Sequence, residues 1–378
     1  TAQQILDAAG VKGGLIVHIG CGDGKLTAAL RANDSYLVHG LDTDPKNVEA
    51  ARKHIASLGL YGKVTVEPWS GKGLPYIENS VNLVVADALG GVTMDEVMRV
   101  LAPNGVAYIG GKKTVKPRAK AIDEWTHYLY DASNNAVSHD TAIAPLTRFQ
   151  WLGSPRYSRH HDHMSGASAM VSANGRLFYV FEDSPRASIL TPPQWFLAAR
   201  DAFNGTVLWR RPIEKWHEHL TPLKSGPQIL TRRLVAVGDR VYVTLNIDAP
   251  LTALDAATGK TLRTYDGTKA TEEILCHNGV LFLSVAAEGQ PLRSDPKRVY
   301  PGLAEIRAAV TDPLWTDAPR TVMAVEAESG KLLWKKESKV VSMSLAADGQ
   351  RVLFHDGERI QCLDRRNGQN LWASEPLP

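Results

Sequence analysis

Hydrophobic and polar positions follow two different rules along this chain, and the rule changes near residue 145. Before that point, short apolar runs alternate with segments whose apolar residues recur every three or four positions. GLIVHIG (14–20), YLVHGLD (36–42), KVTVEPW (63–69), VNLVVAD (81–87) and VAYIGG (106–111) read as strands. TAQQILDAAG (1–10), KLTAALRA (25–32), DPKNVEAARKHIASLG (44–59) and TMDEVMRVLAPNG (93–105) read as helices. Gly10 stops the first helix, and Asp44 with Pro45 behind it starts the third as N-cap and first-turn proline. Strand alternating with helix predicts a parallel sheet covered on both faces. Five strands are expected, with no room for an antiparallel sixth and seventh before DEWTHYLYD (123–131) begins.

Beyond residue 145 the helical period gives way to short alternating strands separated by glycine turns. Four segments align without gaps: LAARDAFNGTVLW (197–209), LTALDAATGKTLR (251–263), VMAVEAESGKLLW (322–334) and IQCLDRRNGQNLW (360–372). Each has an acidic residue (Asp201, Asp255, Glu326, Asp364) and a glycine four places on (Gly205, Gly259, Gly330, Gly368). Three then have a tryptophan four places further (Trp209, Trp334, Trp372), where Arg263 breaks the pattern. The glycine suits a hairpin turn needing positive φ, and the tryptophan suits packing onto a neighbouring unit. A hairpin precedes each segment: SAMVSANGRLFYVF, RLVAVGDRVYVTL, EILCHNGVLFLSV and MSLAADGQRVLFH. Four strands per unit, repeated four times, predict β-propeller blades.

On these residues the second half resembles the pyrroloquinoline-quinone (PQQ) repeat of quinoprotein dehydrogenases and of the outer-membrane assembly propeller. The first half resembles class I S-adenosylmethionine-dependent methyltransferases over residues 1–112. The combination resembles a two-domain bacterial family associated with planctomycetes. The expected fold is α/β followed by all-β: a truncated Rossmann-like methyltransferase domain (1–125), a joint (126–148) and four PQQ-type blades (149–378) forming an incomplete ring.

The motif VHIGCGDG (17–24) sits at the turn from the first strand to the second helix. Gly20, Gly22 and Gly24 let the backbone approach a ligand there. Asp42, closing the second strand in VHGLDTD, is placed to accept hydrogen bonds from ribose hydroxyls. The resemblance implies S-adenosylmethionine as cofactor and puts Ser70 at the adenine. Three positions depart from it: His18 and Ser70 replace acidic residues, and Asn82 replaces the aspartate that usually opens the fourth strand. Each loss of a charge-assisted bond is expected to cost ~1 kcal/mol of ligand affinity. Asp87, after the fourth strand, is the candidate base, or else a helix cap.

A second constellation lies in the propeller loops. SRHHDHMSG (158–166) and KWHEHL (215–220) carry His161, His163, His217 and His219 in pairs spaced by two. Such spacing points both side chains of a pair the same way, so the four imidazoles could converge on a transition metal. Arg156, Arg159 and Lys215 nearby would suit an anionic or sugar ligand instead. These loops, with an insertion at 289–319 predicted to hold a helix near 302–310, fall on the propeller face opposite the short hairpin turns. PQQ itself is not expected, because the three cysteines, Cys21, Cys276 and Cys362, form no adjacent pair.

Charge changes the picture little. With 43 basic and 40 acidic residues and a net charge of +3, nothing draws the chain toward nucleic acid, and no apolar run is long enough to span a bilayer. Three functions stay open at this level: methyl transfer to a small acceptor, a binding propeller with a vestigial first domain, and a metal- or quinone-dependent enzyme on the histidine-rich face. The cofactor is cytoplasmic, whereas the family resemblance and the initial threonine point to export. Further C-terminal blades, or self-association, are expected to complete the ring.

Overall fold

The computed structural model describes residues 1–142, 149–153, 166–184, 192–216, 228–287 and 318–377. His161, His163, His217, His219, Arg156, Arg159 and the helix expected at 302–310 lie outside them.

The first domain runs α1 (Ala2–Ala9), β1 (Gly14–Ile19), α2 (Lys25–Leu30), β2 (Tyr36–Asp42), α3 (Pro45–Ser57), β3 (Val64–Pro68), β4 (Val81–Ala86), α4 (Met94–Val100), β5 (Leu101–Ile109) and β6 (Lys112–Val115). The sheet order is β3-β2-β1-β4-β5-β6. Five strands are parallel, as the pattern predicts. The sixth corrects the sequence reading: β6 folds back antiparallel on β5 through Gly110 and Gly111, both at positive φ. Its four exposed, mostly polar residues carry no apolar period by which the pattern could reveal them.

The alternation within each strand separates two cores. Ile16, Val38, Leu83 and Val85 face α1, α2 and α3, meeting Leu6, Leu30, Val48 and Ile55. Val17, Leu41, Val84 and Ala86 face the other way and meet Val97 and Val100 of α4. Helix starts follow the predicted chemistry. Thr1 and Gln4 form a capping box on α1, and Asp44 accepts from the Lys46 amide at the head of α3.

The residues form two compact units. The first comprises 1–123, 140–153 and 199–209, and the second 124–139, 154–198 and 210–378. The expected joint is thus divided between them, and the turn of the first repeat belongs with the α/β domain. Asn82 explains that membership. Its Oδ1 accepts from the Leu15 amide (2.8 Å) and from Asn204 Nδ2 (2.7 Å), and its Nδ2 donates to Asp201 Oδ2 (2.6 Å). Asn82 therefore lies at the amino end of β4, away from the carboxyl edge, and holds a turn. This overturns the expectation that its exchange for aspartate weakens ligand binding. Gly14 is required beside it, because a β-carbon there would stand 2.0 Å from Asn82 Oδ1.

The repeats form four four-stranded antiparallel sheets. They are β7–β10 (Ala167–Ala173, Arg176–Glu182, Trp195–Asp201, Val207–Ile213) and β11–β14 (Leu234–Val237, Arg240–Thr244, Leu251–Asp255, Thr261–Thr264). The others are β15–β18 (Thr271–His277, Val280–Ala286, Arg320–Glu326, Leu332–Ser338) and β19–β22 (Ala346–Ala347, Arg351–His355, Ile360–Asp364, Asn370–Ala373). The aligned glycines sit at φ between 69° and 76°, and each donates its amide to the carbonyl of the acidic residue four places earlier. The third sheet is apolar on both faces. Cys276, Leu281, Leu283 and Met323 pack toward the second sheet, and Leu275, Phe282, Val322 and Ala324 toward the fourth.

Trp334 packs as the repeat predicts. Its ring lies over Gly368 of the next turn, where a β-carbon would come within 2.6 Å of Cε3, and its Nε1 donates to the Arg365 carbonyl (2.7 Å). Arg263 does not leave its junction empty. Its stem lies against Gly330, and Tyr265, two residues on, donates its hydroxyl to the Ala327 carbonyl (2.5 Å). Trp151 makes the same arrangement with the first turn, covering Gly205 and donating to the Ala202 carbonyl (3.0 Å). It lies outside the aligned repeats, so the period gave no sign of it.

His127 is buried in the second unit. Its Nε2 accepts the Cys276 amide (3.0 Å), which fixes the proton on Nδ1, facing the Thr126 hydroxyl (2.7 Å). Burial, chiefly, lowers its pKa to about 3, with Asp131 opposing and Arg232 and His277 assisting. The unfolded chain then binds a proton that the folded unit refuses. Stability from this group is full above the unfolded value near 6.5 and lost as the pH falls toward 3. A His127→Gln variant, read by urea denaturation between pH 4 and 8, should lose less stability on acidification than the parent. Parallel acid curves for the two proteins would contradict this.

Candidate functional site at the carboxyl edge of the sheet

The carboxyl ends of β1, β2, β3 and β4 come level. Ile19 pairs with Leu41 on one side and Ala86 on the other, and Asp42 pairs with Pro68. Gly20, Asp42, Ser70 and Asp87 therefore leave one edge of the sheet together. Between β1 and β4 the connections diverge to opposite sides, the position at which a doubly wound sheet forms its ligand crevice.

Asp42 organises the edge. It is 6% exposed, and three donors reach its carboxylate. The Gly22 amide donates to Oδ2 (2.9 Å), and the Asp44 amide (2.9 Å) and Asn47 Nδ2 (3.2 Å) donate to Oδ1. Burial raises its pKa, but the bonds from Asp44, Gly22, Asn47 and Thr43 outweigh it, so the carboxyl stays below its ordinary range. Oδ2 takes the Gly22 amide, while Oδ1 takes both Asp44 and Asn47.

The three predicted glycines divide by role. Gly20 (φ 71°) and Gly22 (φ 54°) border open space, since a β-carbon at either meets nothing within 4 Å. Gly24 (φ 78°) is instead a packing residue at the head of α2, where a β-carbon would stand 2.7 Å from Ala51 Cβ of α3.

His18, where the resemblance places an acid, is buried. Its Nδ1 pairs with the Thr27 hydroxyl at 2.8 Å. Burial lowers its pKa, against the pull of Asp87 and Asp42, so the ring is neutral at pH 7. Nothing in the strand pattern marks Thr27 as its partner. Burial, with a smaller push from Asp42, raises the thiol of Cys21 to about 12, which makes it a packing residue against Gly40. Ser70 is exposed and makes only long contacts with Lys72 (3.4 Å). Trp69 before it is held by its amide on the Asp42 carbonyl (2.9 Å) and by Nε1 on the Gly73 carbonyl (2.7 Å). Asp87 is exposed just past β4. The edge thus presents open glycine backbone, one anchored carboxylate, a neutral imidazole and a second, solvent-facing carboxylate.

Residues 16–105 match the family model described as a methyltransferase domain. Residues 293–377 match the model described as outer membrane protein assembly factor BamB. The chain thus carries a methyltransferase domain of Rossmann-like α/β fold, followed by antiparallel sheets of a PQQ-type repeat region. A ribosomal protein L11 methyltransferase from Anoxybacillus flavithermus is 29% identical over 111 residues, covering 29% of this chain and 35% of that protein. An uncharacterized protein from Haemophilus influenzae is 24% identical over 175 residues, covering 43% of this chain and 65% of its own length. The chain therefore spans less than two thirds of either relative. Among solved structures, a Methanococcus maripaludis protein described as an S-adenosyl-L-methionine-dependent methyltransferase is 25% identical, covering 29% of this chain and 52% of that one at a TM-score of 0.27.

Among the described residues, no group of three or more histidine, cysteine or acidic side chains is placed to hold a metal. No described helix is long and apolar enough to cross a membrane.

The division among the glycines is measurable. Gly24→Ala adds a left-handed backbone cost of ~1–2 kcal/mol to an overpacking cost of ~1–3 kcal/mol. Gly20→Ala carries only the first. Urea denaturation should show Gly24→Ala clearly less stable than Gly20→Ala, and equal losses would refute the assignment.

Proposed function

We propose that the first domain binds S-adenosylmethionine at this edge and transfers its methyl group to a small acceptor. The observation that carries this reading is the Asp42 carboxylate, anchored by three donors beside the open backbone of Gly20 and Gly22. A ribose hydroxyl would donate to Oδ2, where the Gly22 amide is the one donor within hydrogen-bond distance, against two on Oδ1. The low pKa keeps that oxygen charged, which strengthens the bond relative to a neutral one. Gly20 and Gly22 leave room for the methionine moiety to pass close to the main chain. Ser70, exposed beyond β3, would offer its hydroxyl to the adenine.

The cofactor supplies an electrophilic methyl on a sulfonium. In the transfer, an acceptor lone pair forms the new bond to carbon, the carbon–sulfur bond breaks, and any acceptor proton leaves to a base. Asp87 is exposed at the mouth of the crevice and fits that last part. Neutral His18, buried in β1, adds no positive charge to repel the sulfonium. The family match over residues 16–105 supports the cofactor, while the acceptor is defined only as a molecule that reaches an open sheet edge.

Calorimetric titration with S-adenosylhomocysteine tests the reading. The unmutated chain should bind. Asp42→Asn, nearly the same shape without the charge, should lose about 1.5–3 kcal/mol, at least tenfold in affinity. Asp87→Asn should stay within twofold, since the proposal keeps that group off the cofactor. Failure of the parent to bind at millimolar ligand would end the proposal.

A further inference from the structure

We infer that the inner edges of the four repeat sheets together form a binding site for an extended peptide, and that this chain fills it with its own residues 124–134. Strands β7, β11, β15 and β19 each end the strand order of their sheet, and they neighbour one another in that sequence. A strand at the end of a sheet turns alternate amides outward, where its hairpin partner cannot reach them. Amides of that kind need another acceptor once they are buried.

Four such amides occupy one register position. Ser172 pairs with Leu177, Ala236 with Val241, Cys276 with Leu281 and Ala347 with Val352. In each sheet this is one pair before the pair that closes the hairpin, which in the fourth is Asp348 with Arg351. All four residues are small, so another main chain can come close. Each amide donates to the same segment. Ser172 reaches the Trp125 carbonyl (2.7 Å), Ala236 the Thr126 carbonyl (3.0 Å), Cys276 the His127 Nε2 (3.0 Å) and Ala347 the Ala132 carbonyl (2.8 Å). The order of acceptors along the segment is the order of the sheets. At the third sheet an imidazole stands in for a carbonyl, where the main chain folds back and the His127 amide donates to the Tyr130 carbonyl (3.1 Å).

Residues 124–134 add no strand to any of these sheets. A segment that belongs to none of four sheets, yet meets each at the same position, is held as a ligand is held. Main-chain bonds supply the general grip, as they do for peptides added to a sheet edge. Side chains supply the selectivity. His127 serves Cys276, and Ala132 is buried in the core with Leu345 and Val352. Asn134 Nδ2 donates to the Met343 carbonyl (3.1 Å), and its Oδ1 accepts from Arg232 Nη2. The occupied end of the axis is the one beside the hairpin turns, and a ligand of any other kind must displace the segment to use it.

The test reads amide exchange by NMR in the full chain. His127→Ala removes the acceptor of Cys276 alone. If the segment docks as one unit, the amides of Ser172, Ala236 and Ala347 should exchange faster together with that of Cys276. Acceleration at Cys276 alone overturns the inference. Asn134→Ala, which frees the other end, is read in the same way should His127→Ala fail to fold, and four unchanged amides then overturn it. Next, residues 124–134 are replaced in the full chain by a glycine–serine linker of equal length, and a synthetic peptide of residues 123–135 is added. Slow exchange at all four amides should return saturably, and a His127→Ala peptide should bind about tenfold more weakly. A linker variant that folds only with the peptide present supports the inference equally. Equal affinity of the two peptides, or four amides that ignore millimolar peptide in a folded variant, overturns it. A variant that stays unfolded at that concentration also overturns it, and makes the segment a part of the fold rather than a ligand.

Discussion

Left-handed backbone, which glycine adopts at little cost and other residues resist, sets the working surfaces of both halves. In the first domain it lets the chain leave β1, pass Gly20 and Gly22 with nothing above them, and enter α2 through Gly24 pressed on Ala51. In the repeats it folds the acidic residue and the glycine four places later into one tight turn. Both cases use the missing β-carbon as well as the angle. At Gly20 and Gly22 it leaves space beside a carboxylate, and at Gly205 and Gly368 an indole takes the space. The same device thus serves a ligand edge in one domain and packing in the other.

Most of the fold was legible because burial imposes its period on the sequence. Strands buried on both faces, such as LIVHI and LVVA, and the amphipathic stripe of α3 could hardly be read otherwise. The repeat was legible because four copies made the turn glycine stand out. What escaped were features without a period. Strand β6 is short and exposed on every residue. Trp151 stands in no repeat, yet does a repeat tryptophan's work. Tyr265 replaces an indole from two positions away, which alignment by position hides.

The candidate site was half legible. Asp42 and the glycines follow from motif and spacing, because a strand end and a helix start fix where they must lie. The roles within the motif did not follow. Gly24 belongs to helix packing, and Asp42 serves its own neighbourhood before any ligand, since the amides of Gly22 and Asp44 both depend on it. Asn82 shows the converse. A departure from family pattern reads as damage to binding until the residue's partners are known. At the amino end of β4 its amide does what a carboxylate could not, accepting from Leu15 and Asn204 while donating to Asp201.

The exchange of Trp for Arg263 argues that the repeat conserves an acceptor rather than a residue. In three of the turns the carbonyl beside the acid, that of Ala202, Ala327 or Arg365, accepts from a side chain outside the turn, while the acid's own carbonyl holds the glycine amide. Covering the glycine with a hydrophobic group would bury that second carbonyl at a cost of about 1–3 kcal/mol unless a donor arrives with it. Indole brings an apolar face and one N–H on its rim, so it meets both demands at once. Arginine and tyrosine meet them jointly, the stem of Arg263 lying on Gly330 while the phenol of Tyr265 reaches Ala327. An isolated leucine at such a position would cover the glycine and strand the carbonyl. By that measure, the tryptophan positions of this repeat tolerate substitution only where a second donor stands within reach.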